Sequence, residues 1–335
     1  MKLALGAAIG LASLVAALGA QAGSSARDGF EPSWIAAVSA QQFWLGGNRT
    51  VLHTTDGGRH FDRLPAPPAG GTVSFADSRD GFAYGWRTPL YATHDGGRQW
   101  HRVGLGNVLA FAAAGGTAYA VTGECAKAGS CRDARLERSP VSRDAWRSTP
   151  VPFARAEPNF DLAAQGNHVW LFGGSSSGRY RLRDVLARSA DGGRTFVSGS
   201  APCFAELAAE LHPISSRVVW AFCPTGMMGA AWRSTDGGAS FRALSPPHCC
   251  ANSADLAPAS AEVAVLAGNG AEAGLLRTTD GGATWTRAHA PRNATYSVQF
   301  ADARVGFALV SVGGGPTGLW KTTDGGADWR AVLIR

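Results

Sequence analysis

The segment RTTDGGATW occupies residues 277–285, and its order of a hydroxyl residue, an aspartate, two glycines and an aromatic residue recurs along the chain. The other copies are HTTDGGRHF (53–61), ATHDGGRQW (92–100), RSADGGRTF (188–196), RSTDGGASF (233–241) and KTTDGGADW (321–329). Segments that recur every 20–50 residues or so are typical of repeat proteins such as solenoids and propellers. The repeat therefore predicts the architecture more directly than local composition does.

A degenerate seventh copy fills the one interval of double length. Residues 136–146 match residues 186–196 at an offset of 50, with Val141 in the position of the aspartate. With this copy included, successive centres lie 39 to 50 residues apart and the units fill the chain beyond its first residues.

Each unit also carries short apolar strands upstream of the aspartate. Residues 73–83 match residues 298–308 at an offset of 225, and both segments are interpreted as two strands joined by a polar turn. Two more strands flank the Asp-Gly-Gly turn, one ending at the hydroxyl residue and one beginning at the aromatic residue, so each unit has strands A to D. The sequence predicts an all-β fold, a single seven-bladed β-propeller of four-stranded antiparallel blades with Asp-Gly-Gly turns, over residues 33–335.

The repeated aspartates are interpreted as turn residues. An aspartate carboxylate accepts hydrogen bonds from amides of its own turn, and glycine takes a positive φ at little cost. A catalytic acid or a calcium ligand is the alternative, but a catalytic site is not repeated in every blade. We predict a structural role for Asp56, Asp95, Asp191, Asp236, Asp280 and Asp324.

The pattern Ser/Thr-x-Asp-x-Gly-x-x-Trp/Phe resembles the Asp-box, or bacterial neuraminidase repeat, of sialidase-superfamily propellers. The resemblance covers residues 35–334, and the short spacing with the paired Phe-x-Asp-x-x-x-Gly-Phe element is most similar to the photosystem II stability and assembly factor family and its relatives in non-photosynthetic bacteria. It implies a propeller of a kind generally treated as non-enzymatic.

The N-terminus is typical of a signal peptide. Met1 and Lys2 precede an apolar run over residues 3–18, and small residues lead to Ala22. We predict a signal peptide of residues 1–22, cleaved after Ala22, and a linker of residues 23–32; an uncleaved membrane anchor is the alternative. The mature chain is then periplasmic or secreted and has no later apolar segment long enough to span a membrane.

Export makes the six cysteines candidates for disulfide bonds. Cys125 and Cys131 are close enough to close one loop, whereas the pairing among Cys203, Cys223, Cys249 and Cys250 is left open by their spacing. His248 precedes the adjacent Cys249 and Cys250, but no paired metal-ligand spacing follows, so the sequence predicts no metal site and no cofactor.

Alternation of the four strands places the Asp-Gly-Gly turns and the A–B turns on one face, and the B–C and D–A connections on the other. The second face carries all six cysteines and two long loops, 123–134 and 174–184, and is here called the loop-rich face. We predict that it binds an unknown protein partner or an anionic or glycan ligand, because arginine side chains recognise such groups and methionine adapts to apolar surfaces. The candidate residues are Arg132, Arg135, Arg179, Tyr180, Arg181, Arg183, Met227 and Met228. The alternative is that these are solvated loop residues.

Several functions are disfavoured by the residues present. A formal net charge of +6 without a run of Lys or Arg does not indicate nucleic-acid binding. Sialidases use an arginine triad, a Tyr/Glu pair, an acid/base aspartate and an early Arg-Ile-Pro, but none of the four isoleucines precedes a proline. Tyr296 has no glutamate motif beside it and is interpreted as a core residue, and no His-Glu-x-x-His motif occurs.

These observations favour an exported, monomeric, non-enzymatic propeller that serves as a protein-interaction or assembly scaffold through its loop-rich face, with no catalytic residue. The alternative is a glycan-binding protein or an exo-α-sialidase-like glycoside hydrolase.

Overall fold

The structure is a computed structural model. It describes residues 30–47, 49–85, 88–125, 131–152, 160–175, 183–203, 209–224, 229–244, 255–268, 274–292 and 294–334. Across these residues the chain forms seven four-stranded antiparallel sheets and no helix, which confirms the predicted seven-bladed β-propeller.

The first four sheets follow chain order. Blade 1 is β1 (Trp34–Ala37), β2 (Phe43–Gly47), β3 (Thr50–Thr54) and β4 (Asp62–Pro65). Blade 2 is β5 (Thr72–Phe75), β6 (Gly81–Tyr84), β7 (Tyr91–Thr93) and β8 (His101–Arg102). Blade 3 is β9 (Val108–Ala114), β10 (Thr117–Cys125), β11 (Cys131–Pro140) and β12 (Arg147–Pro150). Blade 4 is β13 (Asp161–Gln165), β14 (His168–Ser175), β15 (Arg183–Ser189) and β16 (Val197–Ser200).

The last three sheets have the same order. Blade 5 is β17 (Glu210–Pro213), β18 (Val219–Pro224), β19 (Gly229–Ser234) and β20 (Arg242–Ala243). Blade 6 is β21 (Asp255–Pro258), β22 (Ala264–Ala267), β23 (Leu275–Thr278) and β24 (Thr286–Arg287). Blade 7 is β25 (Ala294–Phe300), β26 (Gly306–Val312), β27 (Gly318–Thr322) and β28 (Arg330–Val332). Among the described residues, no helix has the length and apolar character needed to cross a membrane.

The core lies between the blades. Buried apolar side chains form seven clusters, and each cluster joins two neighbouring blades across an interface that we call a seam. Strand B is the most buried, with every residue of β2 buried, whereas strand D is mostly exposed. This gradient explains the apolar B segments in the sequence, because strand B is covered by sheets on both sides.

The ring closes by side-chain packing. Blade 7 and blade 1 each keep their own four strands, and no strand is exchanged between them. The rings of Phe43 and Phe307 lie 4.4 Å apart across this seam. Phe30 and Ile334, at the two ends of the described chain, are buried in the same cluster.

The Asp-Gly-Gly turn is held by its own polar groups, as Asp280 illustrates. The Thr278 hydroxyl donates to Asp280 Oδ1 at 2.8 Å, and the amides of Gly282 and Thr284 donate to Thr278 Oγ1 and Asp280 Oδ1, each at 2.9 Å. Gly281 and Gly282 have φ of +71° and +86°, which favours glycine. Hydrogen bonds from the Thr284 hydroxyl and amide lower the pKa of Asp280 to about 2. The geometry recurs in the other five copies.

The turn is also bonded to the A–B turn of its own blade. The amide of Gly281 donates to the carbonyl oxygen of Glu262 at 2.9 Å. The equivalent bonds join Gly57 to Gln41, Gly96 to Arg79, Gly192 to Asn167, Gly237 to Arg217 and Gly325 to Arg304. The Asp-Gly-Gly turns and the A–B turns therefore share one face of the ring, which we call the turn face.

Each of the six turns is also bonded to the preceding blade. The carbonyl oxygen of its first glycine accepts a hydrogen bond of 2.7 to 3.3 Å from a side chain across the seam. The donors are Lys321 to Gly57, Trp44 to Gly96, Arg138 to Gly192, Trp170 to Gly237, Arg242 to Gly281 and Arg277 to Gly325. We call this bond the clasp.

The degenerate turn of blade 3 uses different bonds. Ser139 accepts from the Ala145 amide at 2.8 Å and donates to the Arg143 carbonyl oxygen at 2.5 Å. The amide of Val141 still donates to Gly116 in the A–B turn, at 3.0 Å. Residues 139–146 contain no glycine, so the seam between blades 2 and 3 lacks the glycine carbonyl of the clasp.

Two strand boundaries differ from the prediction. Strand D begins one residue after the aromatic residue; β4 starts at Asp62, since the Phe61 ring turns inward and packs edge-on against Phe43 at 6.0 Å. The predicted loops 123–134 and 174–184 are also partly wrong. Strands β10 and β11 continue to Cys125 and from Cys131, with a register shift between Thr122 and Glu124 that keeps the ladder paired.

The second hairpin extends in the same way. The pairing of β14 with β15 continues without a shift as far as Ser175 opposite Arg183. An antiparallel hairpin can lengthen past the edge of its blade because each added pair bonds within the hairpin.

Candidate functional site

The inner strands carry a group of titratable side chains that their sequence spacing did not reveal. The A strands of several neighbouring blades pack against each other, as β13 does with β9 and β17 and as β21 does with β25. Asp161 lies on β13, Glu210 and His212 lie on β17, and Asp255 lies on β21. We call these four residues the channel group.

Two members of the channel group bond the backbone of the next blade. Asp161 Oδ2 accepts from the Leu211 amide at 2.6 Å, and Asp255 Oδ2 accepts from the Val298 amide at 2.7 Å. Gln299 makes the same kind of contact at the closing seam, where its Oε1 accepts from the Ala37 amide at 3.1 Å. Strand A has one edge without a strand partner, so these side chains satisfy amides that would otherwise be unpaired.

The environment shifts the protonation of this group. Burial raises the pKa of Asp161 to about 6, against the opposing effect of the Leu211 amide. Burial likewise raises the pKa of Asp255 to about 6, against the Val298 amide. Burial lowers the pKa of His212, but the Glu210, Asp255 and Asp161 carboxylates outweigh it and the net pKa is raised. His212 Nε2 lies 3.7 Å from Glu210 Oε2.

Asp161 and Asp255, with pKa values of about 6, can exchange protons near neutral pH. A carboxyl group with a raised pKa is suited to general acid catalysis. Asp161 and Asp255 are nevertheless both engaged with backbone amides, which gives them a structural role at the seams. Glu210 is half-exposed and is the member most open to a ligand in the channel.

The predicted loop-face residues are only partly within the described chain. Arg135 is exposed on β11, and its Nε donates to the Ser148 hydroxyl, which in turn donates to Glu137 Oε1 at 2.8 Å. By backbone position, Arg132 lies opposite Glu124 and Arg183 lies opposite Ser175. The other predicted residues, Arg179, Tyr180, Arg181, Met227 and Met228, lie outside the described residues. The binding patch therefore stays a prediction.

The structure settles one of the disulfide pairings that the sequence left open. Cys203 and Cys223 form a disulfide, which links the connection after β16 to strand β18 across the seam between blades 4 and 5. Cys131 is disulfide-bonded, and Cys125 is the residue opposite it in the β10–β11 ladder. Cys249 and Cys250 lie outside the described residues, so their pairing stays open.

The comparisons with known proteins support the fold. No protein-family model and no curated protein sequence matches the chain. A solved structure of YCF48 bound to a D1 peptide is 18% identical with a TM-score of 0.56, and the match covers 88% of this chain and 93% of that one. YCF48 from Cyanidioschyzon merolae is 16% identical with a TM-score of 0.59, covering 88% and 96%.

A third structure is less similar. The GH74 enzyme of Niastella koreensis is 12% identical with a TM-score of 0.44, and the match covers 90% of this chain and 65% of that one. The two YCF48 structures, at 16–18% identity, support the fold of this chain and no more.

Proposed function

We propose that this chain is an exported, non-enzymatic Asp-box propeller that binds a protein partner through its loop-rich face. The observation that carries the proposal is the pair of long B–C hairpins in adjacent blades 3 and 4. Strands β10 and β11 have 9 and 10 residues and β14 and β15 have 8 and 7, whereas β2 and β3 have 5 each. These hairpins extend beyond their blades on the loop-rich face.

The ends of the hairpins carry arginine. Arg132 and Arg135 lie on β11, and Arg183 begins β15. Paired backbone and a disulfide at Cys131 hold the outer end of the first hairpin, and a surface that is rigid before binding loses less entropy when a partner docks. A propeller of similar fold is known in complex with a D1 peptide, which supports protein binding by this architecture.

The turn aspartates favour a scaffold over an enzyme. Each accepts hydrogen bonds from its own turn, as Asp191 does from the amides of Arg194 and Thr195, both at 2.9 Å. Their carboxylates stabilise the fold, so the most frequent acidic motif of the chain is assigned without catalysis.

The test compares two sets of arginines on opposite faces. One variant replaces Arg179, Arg181 and Arg183 with serine, and the control replaces Arg59, Arg98 and Arg194, which are exposed on the turn face. Proteins cross-linked to the wild type in the exported fraction should be retained by the control and lost from the first variant. Identical capture by all three forms would reject the loop-rich face as the binding surface.

Export is a separate part of the proposal. The Cys203–Cys223 disulfide supports it, because disulfides persist in oxidising compartments. We propose that residues 1–22 direct export and that residues 23–32 form a linker to the propeller. N-terminal sequencing of the exported protein should begin at Gly23, and recovery of the intact N-terminus in the cytoplasm would contradict export.

A glycoside hydrolase is kept as a second candidate on one observation, the raised pKa of Asp161 and Asp255. A panel of fluorogenic glycosides decides between the two. The scaffold proposal expects no release of fluorophore. The enzyme would be favoured if the wild type and Gln299→Ala release fluorophore and either Asp161→Asn or Asp255→Asn does not.

A further inference from the structure

The seam between blades 2 and 3 differs from the other six. Where each of the others has a clasp to a glycine carbonyl, this seam brings together two histidines and two aspartates. His94 lies in the Asp-Gly-Gly turn of blade 2, His101 begins β8, and Asp144 lies in the degenerate turn of blade 3. Asp80, which ends the A–B turn of blade 2, lies behind His94.

Three of these side chains converge on a single point. His101 Nε2 lies 2.6 Å from Asp144 Oδ2, and His94 Nε2 lies 3.9 Å from the same oxygen. One ligand atom from each of the three residues lies within 4.8 Å of the others. Ligand atoms on a tetrahedral Zn²⁺ at about 2.0–2.1 Å are roughly 3.3 Å apart, so small side-chain rotations would place all three around one ion.

The groups behind the ligands are those that a metal site needs. His94 Nδ1 bonds Asp80 Oδ1 at 2.6 Å, and Asp80 is buried. Metal-binding histidines commonly donate their other ring N–H to a carboxylate, which fixes the tautomer and orients the ring. Trp146 Nε1 donates to Asp144 Oδ1 at 3.3 Å and leaves Oδ2 facing the histidines.

One nitrogen in this arrangement is unsatisfied. His94 Nε2 is buried and has no hydrogen-bond partner among the described residues. A buried polar atom without a partner is costly, and a metal ion is one way to satisfy it. The rest of the cluster is accessible, with side-chain exposures of 48% for His101 and 29% for Asp144, so an ion has a route in.

The ligand residues are departures from the repeat. The position of His94 is Thr or Ala in the five other intact copies, and the position of Asp144 is Arg or Ala in the intact copies. Asp80 aligns with Val305 at the offset of 225. Three departures from the repeat therefore meet at the one seam without a glycine clasp, and they bring two carboxyl groups and two imidazoles together there.

We propose that His94, His101 and Asp144 bind one Zn²⁺, or a similar first-row ion that accepts imidazole ligands, with water as the fourth ligand. Asp80 is a positioning residue that orients His94. The ion links blades 2 and 3 where the other seams have the clasp. The alternative is that the cluster is a hydrogen-bonded contact without metal.

The experiment titrates Zn²⁺ into the purified protein after EDTA treatment and follows binding by calorimetry. We expect one saturable ion per chain. Replacing both His101 and Asp144 (His101→Gln with Asp144→Asn) should abolish this binding, and Asp80→Asn should weaken it by about 10–100-fold, the range found for groups that support a ligand. Co²⁺ in place of Zn²⁺ should give the visible absorption of a four-coordinate site in the wild type and not in the His101/Asp144 double variant.

Two other histidines provide matched controls. His60 Nδ1 lies 2.5 Å from Asp56 Oδ2, and His289 Nδ1 lies 2.7 Å from Asp328 Oδ1. Both histidines are almost fully exposed, and each contacts a single carboxylate. His60→Gln and His289→Gln should bind one Zn²⁺ as the wild type does. Failure of the wild type to bind saturably, or equal binding by the His101/Asp144 double variant with an unchanged circular dichroism spectrum, would reject the metal site.

Discussion

The indole Nε1 of Trp44 in blade 1 lies 3.0 Å from the carbonyl oxygen of Gly96 in blade 2. The same ring stacks on Phe75 of blade 2 with centroids 3.7 Å apart. The amide of Gly96 meanwhile donates to Arg79 in its own blade. One glycine thus bonds to its own blade through its N–H and to the preceding blade through its C=O, and the other intact turns repeat this arrangement.

The clasp should contribute measurably to stability. Trp170→Phe removes the donor to Gly237, which lies at 2.8 Å, and leaves a partly buried carbonyl without that partner. An unsatisfied buried polar group costs about 1–3 kcal/mol. The control is Trp285→Phe, since Trp285 is also buried but its Nε1 has no partner among the described residues. Urea unfolding should show the larger loss for Trp170→Phe; equal losses would mean that ring volume, and not the clasp, is responsible.

The second glycine of the turn should not tolerate a side chain. At Gly193, where φ is +75°, a Cβ would lie 2.4 Å from Leu136 Cδ2 across the seam. Gly166 in the same blade has φ of +57° with no atom within 4 Å of a Cβ. Gly166→Ala should cost only the left-handed backbone strain, about 1–2 kcal/mol. Thermal unfolding should show a clearly larger loss for Gly193→Ala, and similar losses would mean that Leu136 moves aside freely.

Acid should weaken the turns. The pKa of Asp280 is lowered to about 2 in the folded protein, so its contribution is present above the ordinary value near 4 and is lost as the pH falls through 2. The difference in melting temperature between the wild type and Asp280→Ala should therefore shrink between pH 4 and pH 2. Gly166→Ala has no titrating group, and its difference from the wild type should stay level over the same range.

The contribution of Asp161 to stability should change with pH in the opposite direction. The pKa of Asp161 is raised to about 6, so its protonated form favours the folded state below the ordinary carboxyl pKa and the benefit is lost as the pH rises through 6. The wild type should lose stability relative to Asp161→Asn between pH 4 and pH 7. Gln299→Ala removes a similar acceptor to a neighbouring blade without a titrating group, and a slope of equal size in that variant would exclude Asp161 as the cause.

The disulfide should stabilise the seam between blades 4 and 5. The bond joins residues 20 positions apart, and closing a loop of this size in the unfolded chain contributes about 3 kcal/mol. Replacing both Cys203 and Cys223 with alanine should lower the free energy of unfolding by that amount. A reducing agent should lower the free energy of unfolding of the wild type by more than it lowers that of this variant. An equal decrease in both proteins would show that the bond does not form.

The position of each strand within its blade was predictable from the sequence, because each Asp-Gly-Gly turn lies between strands C and D of one blade. Thr54, Thr278 and Thr322 end strands β3, β23 and β27 as the repeat predicts. Short-range hydrogen bonds fix this relation, since the Thr hydroxyl bonds both the aspartate and the second glycine.

Contacts across the seams were not predictable from the repeat. Asp161 bonds Leu211, 50 residues away, and His101 bonds Asp144, 43 residues away. Such pairs carry no local motif, since the residues belong to different blades and meet only when the ring closes. Their one sequence signal is a polar residue where the repeat has another type, as with Asp80 opposite Val305 in the alignment.

Closure without strand exchange has a mechanical consequence. Phe30 and Ile334 lie in the same cluster, so a force applied to the two ends of the described chain acts on the seam between blades 7 and 1. That seam is held by the tilted ring contact between Phe43 and Phe307, the Lys321 contacts and the Gln299 bond to Ala37, with no backbone ladder across it. Under tension the ring should open there first, and the blades should then detach one at a time from either end.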